Sequence, residues 1–135
     1  MEPEGVVDVL RQLLHALVPG GAVVDLIALP PSGTVETEDE VLGRIDEDAF
    51  FARALVAVSG LDALVAAGLL AFESEERFPV LLRYPTGQDA VDDVAERTYG
   101  RMPGPLAERV AAIDGPVLIR ETSAVRRFTK LPDGE

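Results

Sequence analysis

The fold of this chain is decided by one stretch, LVPGGAVVDL, at positions 17–26. Before it, apolar residues recur at helical spacing, which predicts an amphipathic helix over roughly residues 4–17. The Pro-Gly-Gly turn at 19–21 ends this helix, because proline cannot continue a helix and glycine accepts positive φ. Residues 22–29 then form a short, continuous apolar run, which is typical of a strand buried on both faces.

The rest of the chain is predicted to alternate helices and strands, after an acidic loop that begins at Pro30. The elements expected there are a helix at 46–68 with a break near Ser59 and Gly60, a strand at 70–84 with a break near Pro79, a helix at 89–99, a helix that Pro105 begins, and a strand at 117–129. The pattern therefore predicts an α/β protein.

Opposite charges favour pairing of the strands at 70–84 and 117–129. If the two strands are antiparallel, basic side chains of the last strand face acidic side chains of the earlier one, and each such pair adds a few tenths of a kcal/mol. The expected basic residues are Arg120, Arg126 and Arg127, and the acidic ones are Glu73, Glu75 and Glu76.

Length and charge restrict the possible classes of protein. The chain has 135 residues, which suits a single domain over residues 1–135, and its formal net charge is −12. Such a surface repels nucleic-acid phosphates and anionic lipids, so neither nucleic acid nor membrane is expected as a partner. No apolar run approaches the roughly 20 residues that span a bilayer, and the acidic start lacks the basic region of a signal peptide. We therefore expect a cytoplasmic location.

No catalytic constellation is visible in the sequence. There is no cysteine, and the single histidine, His15, excludes a metal centre of several histidines. Neither a glycine-rich phosphate loop nor a nucleophile elbow is present. Seven carboxylates crowd residues 36–48, but their spacing does not match a calcium loop, so a solvated acidic segment is expected. Catalytic, cofactor-binding and metal-ligating residues are thus all predicted to be absent.

Two residues are candidates for the rim of a pocket. Asp25 interrupts the apolar strand at 22–29, and Tyr84 lies at the end of the strand at 70–84. Ligands favour the ends of strands in α/β sheets, which is the reason for considering both residues. The structural alternatives are a carboxylate at the edge of the sheet for Asp25, and a side chain packed over the rim of the core for Tyr84.

A helix followed by L-x-P-G-G and an apolar strand resembles the second half of class I S-adenosylmethionine-dependent methyltransferases. The matching residues are Leu17, Pro19, Gly20 and Gly21, and the helix ending Ala66-Ala67-Gly68 resembles the one before that family's sixth strand. The resemblance implies half of a Rossmann-like fold. Its sheet would be small, mixed and three-stranded, with strand order first-third-second and an antiparallel last strand.

The family binds its cofactor through a glycine-rich loop and an acidic residue in its N-terminal half, and neither has a counterpart here. No cofactor ligand, and hence no cofactor, is therefore expected. The resemblance leads to a non-catalytic methyltransferase-like module that binds partners or a small ligand. It would self-associate as a homo-oligomer through the 22–29 edge or the helix at 6–17, because an exposed hydrophobic strand edge invites another chain.

Two other functions remain open at this stage. The chain could be the C-terminal part of a split methyltransferase that needs a companion chain to supply the cofactor half. It could also be an unrelated α+β module whose pocket lies near Asp25 and Tyr84.

Overall fold

The computed structural model describes residues 3–97 and 100–132, and it confirms an α/β protein. The elements in chain order are α1 (Pro3–Ala16), β1 (Ala22–Glu36), β2 (Val41–Arg44), α2 (Asp48–Ala66), β3 (Leu70–Tyr84), α3 (Gly87–Glu96), α4 (Gly104–Ala111) and β4 (Val117–Lys130). The four strands form one open antiparallel sheet in the order β2-β1-β4-β3.

The expected three-stranded mixed sheet is wrong, because the sheet has four strands and is antiparallel. The additional strand is β2, a four-residue segment inside the acidic stretch. Leu42 in this strand is 6% exposed, and Ile45, which directly follows the strand, is 1% exposed. The segment therefore contributes to a core. A strand of this length, with Gly43 in it, carries too little alternation to be recognised. The other three strands do follow the expected order, since β4 lies between β1 and β3.

The strand β1 is about twice as long as predicted. It continues through Pro30 and Pro31 to Glu36, where a loop was expected, and its far end pairs with β2 through Thr34↔Arg44 and Val35↔Gly43. Proline has no N–H to donate, so it fits where a strand has no partner on one side. The paired register with β2 covers only Thr34–Glu36, which leaves the prolines outside it.

Neither of the two predicted interruptions is present. The helix α2 runs without a break through Gly60, which is buried within it, so glycine here costs helix propensity without ending the helix. The strand β3 runs from Leu70 to Tyr84 and includes Pro79. Because β3 lies at the end of the described strand order, a proline in it removes no hydrogen bond that a central strand would need.

The predicted partners of Arg120 and Arg126 are also wrong. Arg120 pairs with Glu36 on β1, with Nε 2.9 Å from the carboxylate oxygen. Arg126 pairs with Asp25 on β1. The strands β3 and β4 are neighbours as expected. The charges of Arg120 and Arg126, however, are paired with carboxylates on β1. Charge complementarity therefore does not explain why β3 and β4 are adjacent.

The chain divides into two compact units, and the long strands contribute residues to both. The first unit comprises Met1–Ile27, Ala52–Arg77 and Ala124–Glu135. Its core consists of apolar side chains from α1, α2 and the sheet, namely Leu14, Val23, Leu61, Leu64, Leu70 and Phe128. The face of α1 that carries Leu10, Leu14 and Leu17 packs here, as the helical spacing predicts.

The second unit comprises Ala28–Phe51 and Phe78–Ser123. Its core lies between sheet residues and the two short helices α3 and α4, and consists of Val35, Leu42, Ile45, Ala90, Val94, Leu106, Val110, Val117 and Ile119. Thr86 begins α3 as an N-cap, because its hydroxyl accepts the backbone N–H of Asp89.

Candidate functional site

Tyr84 belongs to a polar cluster in the second unit. It ends β3, and its hydroxyl donates to Oδ2 of Asp93 on α3 while accepting Nη2 of Arg97 at 3.3 Å. Burial raises the pKa of Tyr84 to about 12, the hydrogen bond to Asp93 adds to this, and the Arg97 charge opposes it. The phenol is therefore a hydrogen-bonded structural group that stays protonated at neutral pH.

Arg97 joins Tyr84 to the adjacent strand β4. Its Nη1 lies 3.1 Å from Oε1 of Glu121, and the two side chains are 11% and 18% exposed. Arg97 directly follows α3, at its C-cap. Its Nη2 also lies 3.5 Å from Oδ2 of Asp93. An arginine shared between a phenol and two carboxylates holds the end of α3 against the sheet, because its planar fork donates in several directions at once.

Glu47 is a buried carboxylate immediately before the start of α2. It was expected in a solvated acidic segment, but it is 3% exposed. Its Oε1 accepts the N–H of Gly33 at 2.8 Å, and its own N–H donates to Oγ of Ser32 at 3.3 Å. Burial raises the pKa of Glu47 and nearby Glu121 adds to this, against the Gly33 N–H and Arg97. No periodic signal in the sequence distinguishes Glu47 from its acidic neighbours.

Asp25, the other pocket candidate, lies in the first unit and forms an internal ion pair. Its Oδ2 accepts Nη2 of Arg126 at 2.6 Å and Nε at 3.2 Å. The Arg126 side chain is 7% exposed, lies 5.2 Å from the ring centroid of Phe128, and has Asp62 at 3.7 Å. The carboxylate of Asp25 is thus engaged by a buried guanidinium, whose charge it compensates.

Two clefts open on the second unit. One, of about 300 Å³, is lined by Glu36, Thr37, Glu38, Arg83, Pro116, Val117, Leu118 and Arg120. The hydroxyl of Thr34 and the guanidinium of Arg120 both donate to Glu36 and lower its pKa. The other, of about 420 Å³, is lined by Thr37, Glu38, Asp39, Glu40, Ile113, Gly115 and Pro116. Across residues 3–97 and 100–132, no group of three or more potential ligand side chains could hold a metal ion.

Apolar side chains on the first unit are open to solvent. Val24 and Leu26 alternate along β1 and are 62% and 68% exposed, and these two residues are called the β1 apolar surface below. On α1, Val9 and Leu13 are 51% and 44% exposed. Among the described strands, β1 has β4 on one side and β2 on the other. The pairing of β1 with β2 covers only Thr34–Glu36. The edge of β1 beside Val24 and Leu26 is therefore unpaired in the described part of the chain.

The helix α2 has the length and composition of a membrane span. Over the described residues it is the one helix that passes this test, with 19 residues, a mean hydropathy of 1.7 and 17% of its apolar window buried. No apolar run of this length was expected from the sequence. Length and composition alone do not locate a protein, so the cytoplasmic location stays a prediction.

Comparisons of the chain with protein-family models, with curated proteins and with solved structures each find no match. The resemblance to methyltransferases therefore stays a prediction from the sequence. The function proposed below rests on the contacts and exposure described above.

Proposed function

We propose that this chain is a non-catalytic interaction module that self-associates through the open edge of β1 and the β1 apolar surface. The observation that supports this most directly is the exposure of Val24 and Leu26 beside a stretch of β1 without a paired strand. Unpaired N–H and C=O groups next to exposed apolar side chains are a template for another strand. In a homodimer, two such edges would pair around a two-fold axis.

Apolar contact alone would not hold such a dimer together. Burying a valine or leucine side chain completely stabilises by about 1.5–3 kcal/mol, so four partly covered side chains supply about 4–8 kcal/mol. Association costs about 4–15 kcal/mol in lost translational and rotational freedom. Backbone hydrogen bonds along the β1 edge are therefore part of the proposal, and together with the apolar contacts they favour a dimer of micromolar affinity.

The opposite edge of the sheet is protected, which favours β1 as the docking edge. The strand β3 carries a run of exposed residues, Glu73, Ser74, Glu75, Glu76 and Arg77, followed by Pro79. Charged side chains and proline are the usual means by which edge strands avoid pairing. Residues 22–28 of β1 carry one charge, Asp25, and Arg126 neutralises it.

The proposal is non-catalytic because three buried or partly buried ionisable groups are already held by hydrogen bonds within the chain. Glu47 is held by Gly33, Tyr84 by Asp93 and Arg97, and Asp25 by Arg126. These contacts fit structural roles. The relationship to the C-terminal half of a methyltransferase is kept as part of the proposal, and a companion chain could occupy the same β1 edge.

Sedimentation velocity over a range of concentrations tests this function. The wild-type chain is expected to shift from a 14.4 kDa monomer towards a species of twice that mass as its concentration approaches about 0.1 mM. Leu26→Lys places a charge on the proposed interface and is expected to remain monomeric with an unchanged circular dichroism spectrum. The matched control is Leu55→Lys on α2, where the leucine is similarly exposed at 62%.

Two results would overturn the proposal. One is a wild-type chain that stays monomeric throughout this range. The other is an equal dissociation constant for Leu26→Lys and Leu55→Lys, since that would place the interface elsewhere. A wild-type chain that stays monomeric alone but forms a complex with a companion chain would favour the split-protein alternative over self-association.

A further inference from the structure

A cleft on the first unit has an unusual charge for this protein. It has a volume of about 230 Å³ and is lined by Arg11, Leu14, His15, Leu69 and Lys130. Three of these five side chains are basic types and none is acidic. The whole sequence has 24 acidic residues against 12 lysines and arginines, so a lining of this kind departs from the average surface.

Lys130 forms the inner wall of this basic cleft. The residue is 8% exposed, and its Nζ donates to the carbonyl oxygens of Leu14 and Leu17, at 2.6 Å each. These carbonyls lie at and just after the end of α1, where the regular helical acceptors run out of partners, and that of Leu14 also accepts the N–H of Leu17 at 3.2 Å. An ammonium group has three N–H donors, and two are used here. Among the described residues, no carboxylate forms an ion pair with Lys130.

Arg11 and His15 form the outer wall of the cleft. They are four residues apart on α1 and therefore lie on the same side of the helix. Both are exposed, and neither makes an ion pair with a residue that the structure describes. By contrast, Arg97, Arg120 and Arg126 each pair with a carboxylate within 3.5 Å. Within residues 3–97 and 100–132, no carboxylate therefore forms an ion pair with a basic side chain of this cleft.

We propose that this cleft binds a small organic carboxylate with a short apolar chain. The carboxylate accepts from Arg11 and from the third N–H of Lys130, with His15 beside it, and the apolar chain lies against Leu14 and Leu69. A guanidinium fork and an ammonium group are strong donors to a carboxylate. The volume is below that of most drug-sized ligand pockets, which favours a small ligand. The net charge of −12 disfavours polyanions.

Isothermal titration with octanoate tests the proposal, with octanamide as a neutral ligand of the same length. Octanoate is expected to bind at least tenfold more tightly than octanamide. The double variant Arg11→Gln, His15→Gln is expected to lose at least tenfold in affinity for octanoate. Arg127→Gln is the matched control, because Arg127 is an exposed arginine on β4 outside the cleft, and its affinity should equal that of the wild type.

Backbone amide spectra by nuclear magnetic resonance locate the binding. Octanoate should shift the signals of Leu14 and Leu69, and these shifts should be absent in the double variant. A titration with N-acetylglycyl-leucine tests a peptide C-terminus as the source of the carboxylate. Tighter binding of this dipeptide than of octanoate would indicate a peptide ligand, and the reverse would indicate a small carboxylic acid. Inorganic phosphate should bind weakly, because it has no apolar chain.

The proposal is overturned if octanoate and octanamide bind equally, if the double variant binds like Arg127→Gln, or if phosphate binds as tightly as octanoate. None of these outcomes depends on self-association. The same titration with the Leu26→Lys variant separates the two proposals, since a monomeric chain keeps the cleft.

Discussion

Glu47 shows how one buried carboxylate can organise a turn. It accepts the N–H of Gly33 and donates its own N–H to Ser32, so it ties the segment after β2 to the far part of β1. Its ionised form is disfavoured by burial and by Glu121. The group therefore stabilises the fold through its hydrogen bond and destabilises it through its charge.

Replacing Glu47 by glutamine separates these two effects. Because the folded state raises the pKa of Glu47, stability from this group is complete below its ordinary pKa of about 4.3 and is lost as pH rises through the raised value. Glu47→Gln keeps the acceptor for Gly33 without the charge. We expect its free energy of unfolding at pH 7 to exceed the wild-type value by up to about 1 kcal/mol.

Urea unfolding between pH 4 and 7 measures this difference, which should close as pH falls. Glu47→Ala is the control, because it leaves the Gly33 N–H buried without an acceptor; it should be about 1–3 kcal/mol less stable than Glu47→Gln at every pH, since neither variant titrates at this position. A gap between the glutamine variant and the wild type that is the same at both ends of this range would contradict the assignment.

At the residue scale, the sequence identified polar positions but not their partners. Asp25 and Tyr84 were noted because they lie in or at the end of strands, and both do form specific polar contacts. Their partners Arg126 and Arg97 lie 101 and 13 residues away. Such pairings are set by tertiary packing, which local composition does not encode. His15, the single histidine, is exposed near the end of α1.

At the scale of elements, α3 and α4 pack with almost no space between them. A side chain added at Gly87 would overlap the carbonyl oxygen of Val110, and its Cβ would lie 2.7 Å from the carbonyl carbon. The backbone N–H of Gly87 also donates to Ile113 at 3.0 Å. A glycine at the start of α3 therefore allows the backbone of α3 to approach α4 closely.

Gly87→Ala is expected to destabilise the chain by about 3 kcal/mol, because backbone atoms of α4 have to move to admit the methyl group. Thermal and urea unfolding measure the change. Gly104→Ala is the matched control at the first residue of α4, where nothing lies within 4 Å of the added carbon. This control should be neutral or stabilise by up to about 1 kcal/mol, since alanine restricts the unfolded chain. Equal changes in stability at the two positions would contradict the close approach of α3 and α4 at Gly87.

Elements with a sustained apolar period were predictable, whereas the extension of β1 beyond Leu29 and the short strand β2 were not. The helix α1 and the strands β3 and β4 lie within one or two residues of their expected bounds, because each shows a sustained apolar period. The strand β2 has four residues, and its position is determined by pairing with the end of β1. Gly60 and Pro79 were read as breaks, but packing around α2 and the edge position of β3 accommodate them.

At the scale of the whole molecule, the net charge of −12 opposes the proposed self-association. Two copies repel each other over distances comparable with the Debye length, which falls from about 14 Å at 0.05 M salt to about 4 Å at 0.5 M. The attraction at the β1 apolar surface is short-ranged and is not weakened by salt.

The dissociation constant of the proposed dimer is therefore expected to fall several-fold between about 0.05 M and about 0.5 M sodium chloride. Sedimentation equilibrium at both concentrations measures it. Sodium sulfate at equal ionic strength should strengthen the dimer further, because sulfate favours burial of apolar surface. A dimer that dissociates as salt is added would indicate an interface held by ion pairs, contrary to the β1 proposal.

The α/β class followed from the sequence pattern, the order of the three long strands was given only by the resemblance to methyltransferases, and the fourth strand was not predicted. The charge complementarity that suggested β3 and β4 as neighbours belongs instead to β1 and β4, as Arg120 and Arg126 show. The strand β4 lies between β1 and β3, and both of these strands carry carboxylates that arginines of β4 could pair with. Charge alone therefore could not decide which neighbour it serves.

The position of Lys130 has a practical consequence for chemical labelling. It is the only lysine in the sequence, the residue is 8% exposed, and its amine donates to two carbonyl oxygens at the end of α1. Lys130 is therefore expected to react slowly with succinimidyl dyes, biotin esters and amine-directed crosslinkers while the chain is folded. Reactivity of Lys130 towards such reagents would instead report the detachment of α1, which makes the residue a built-in probe for local opening.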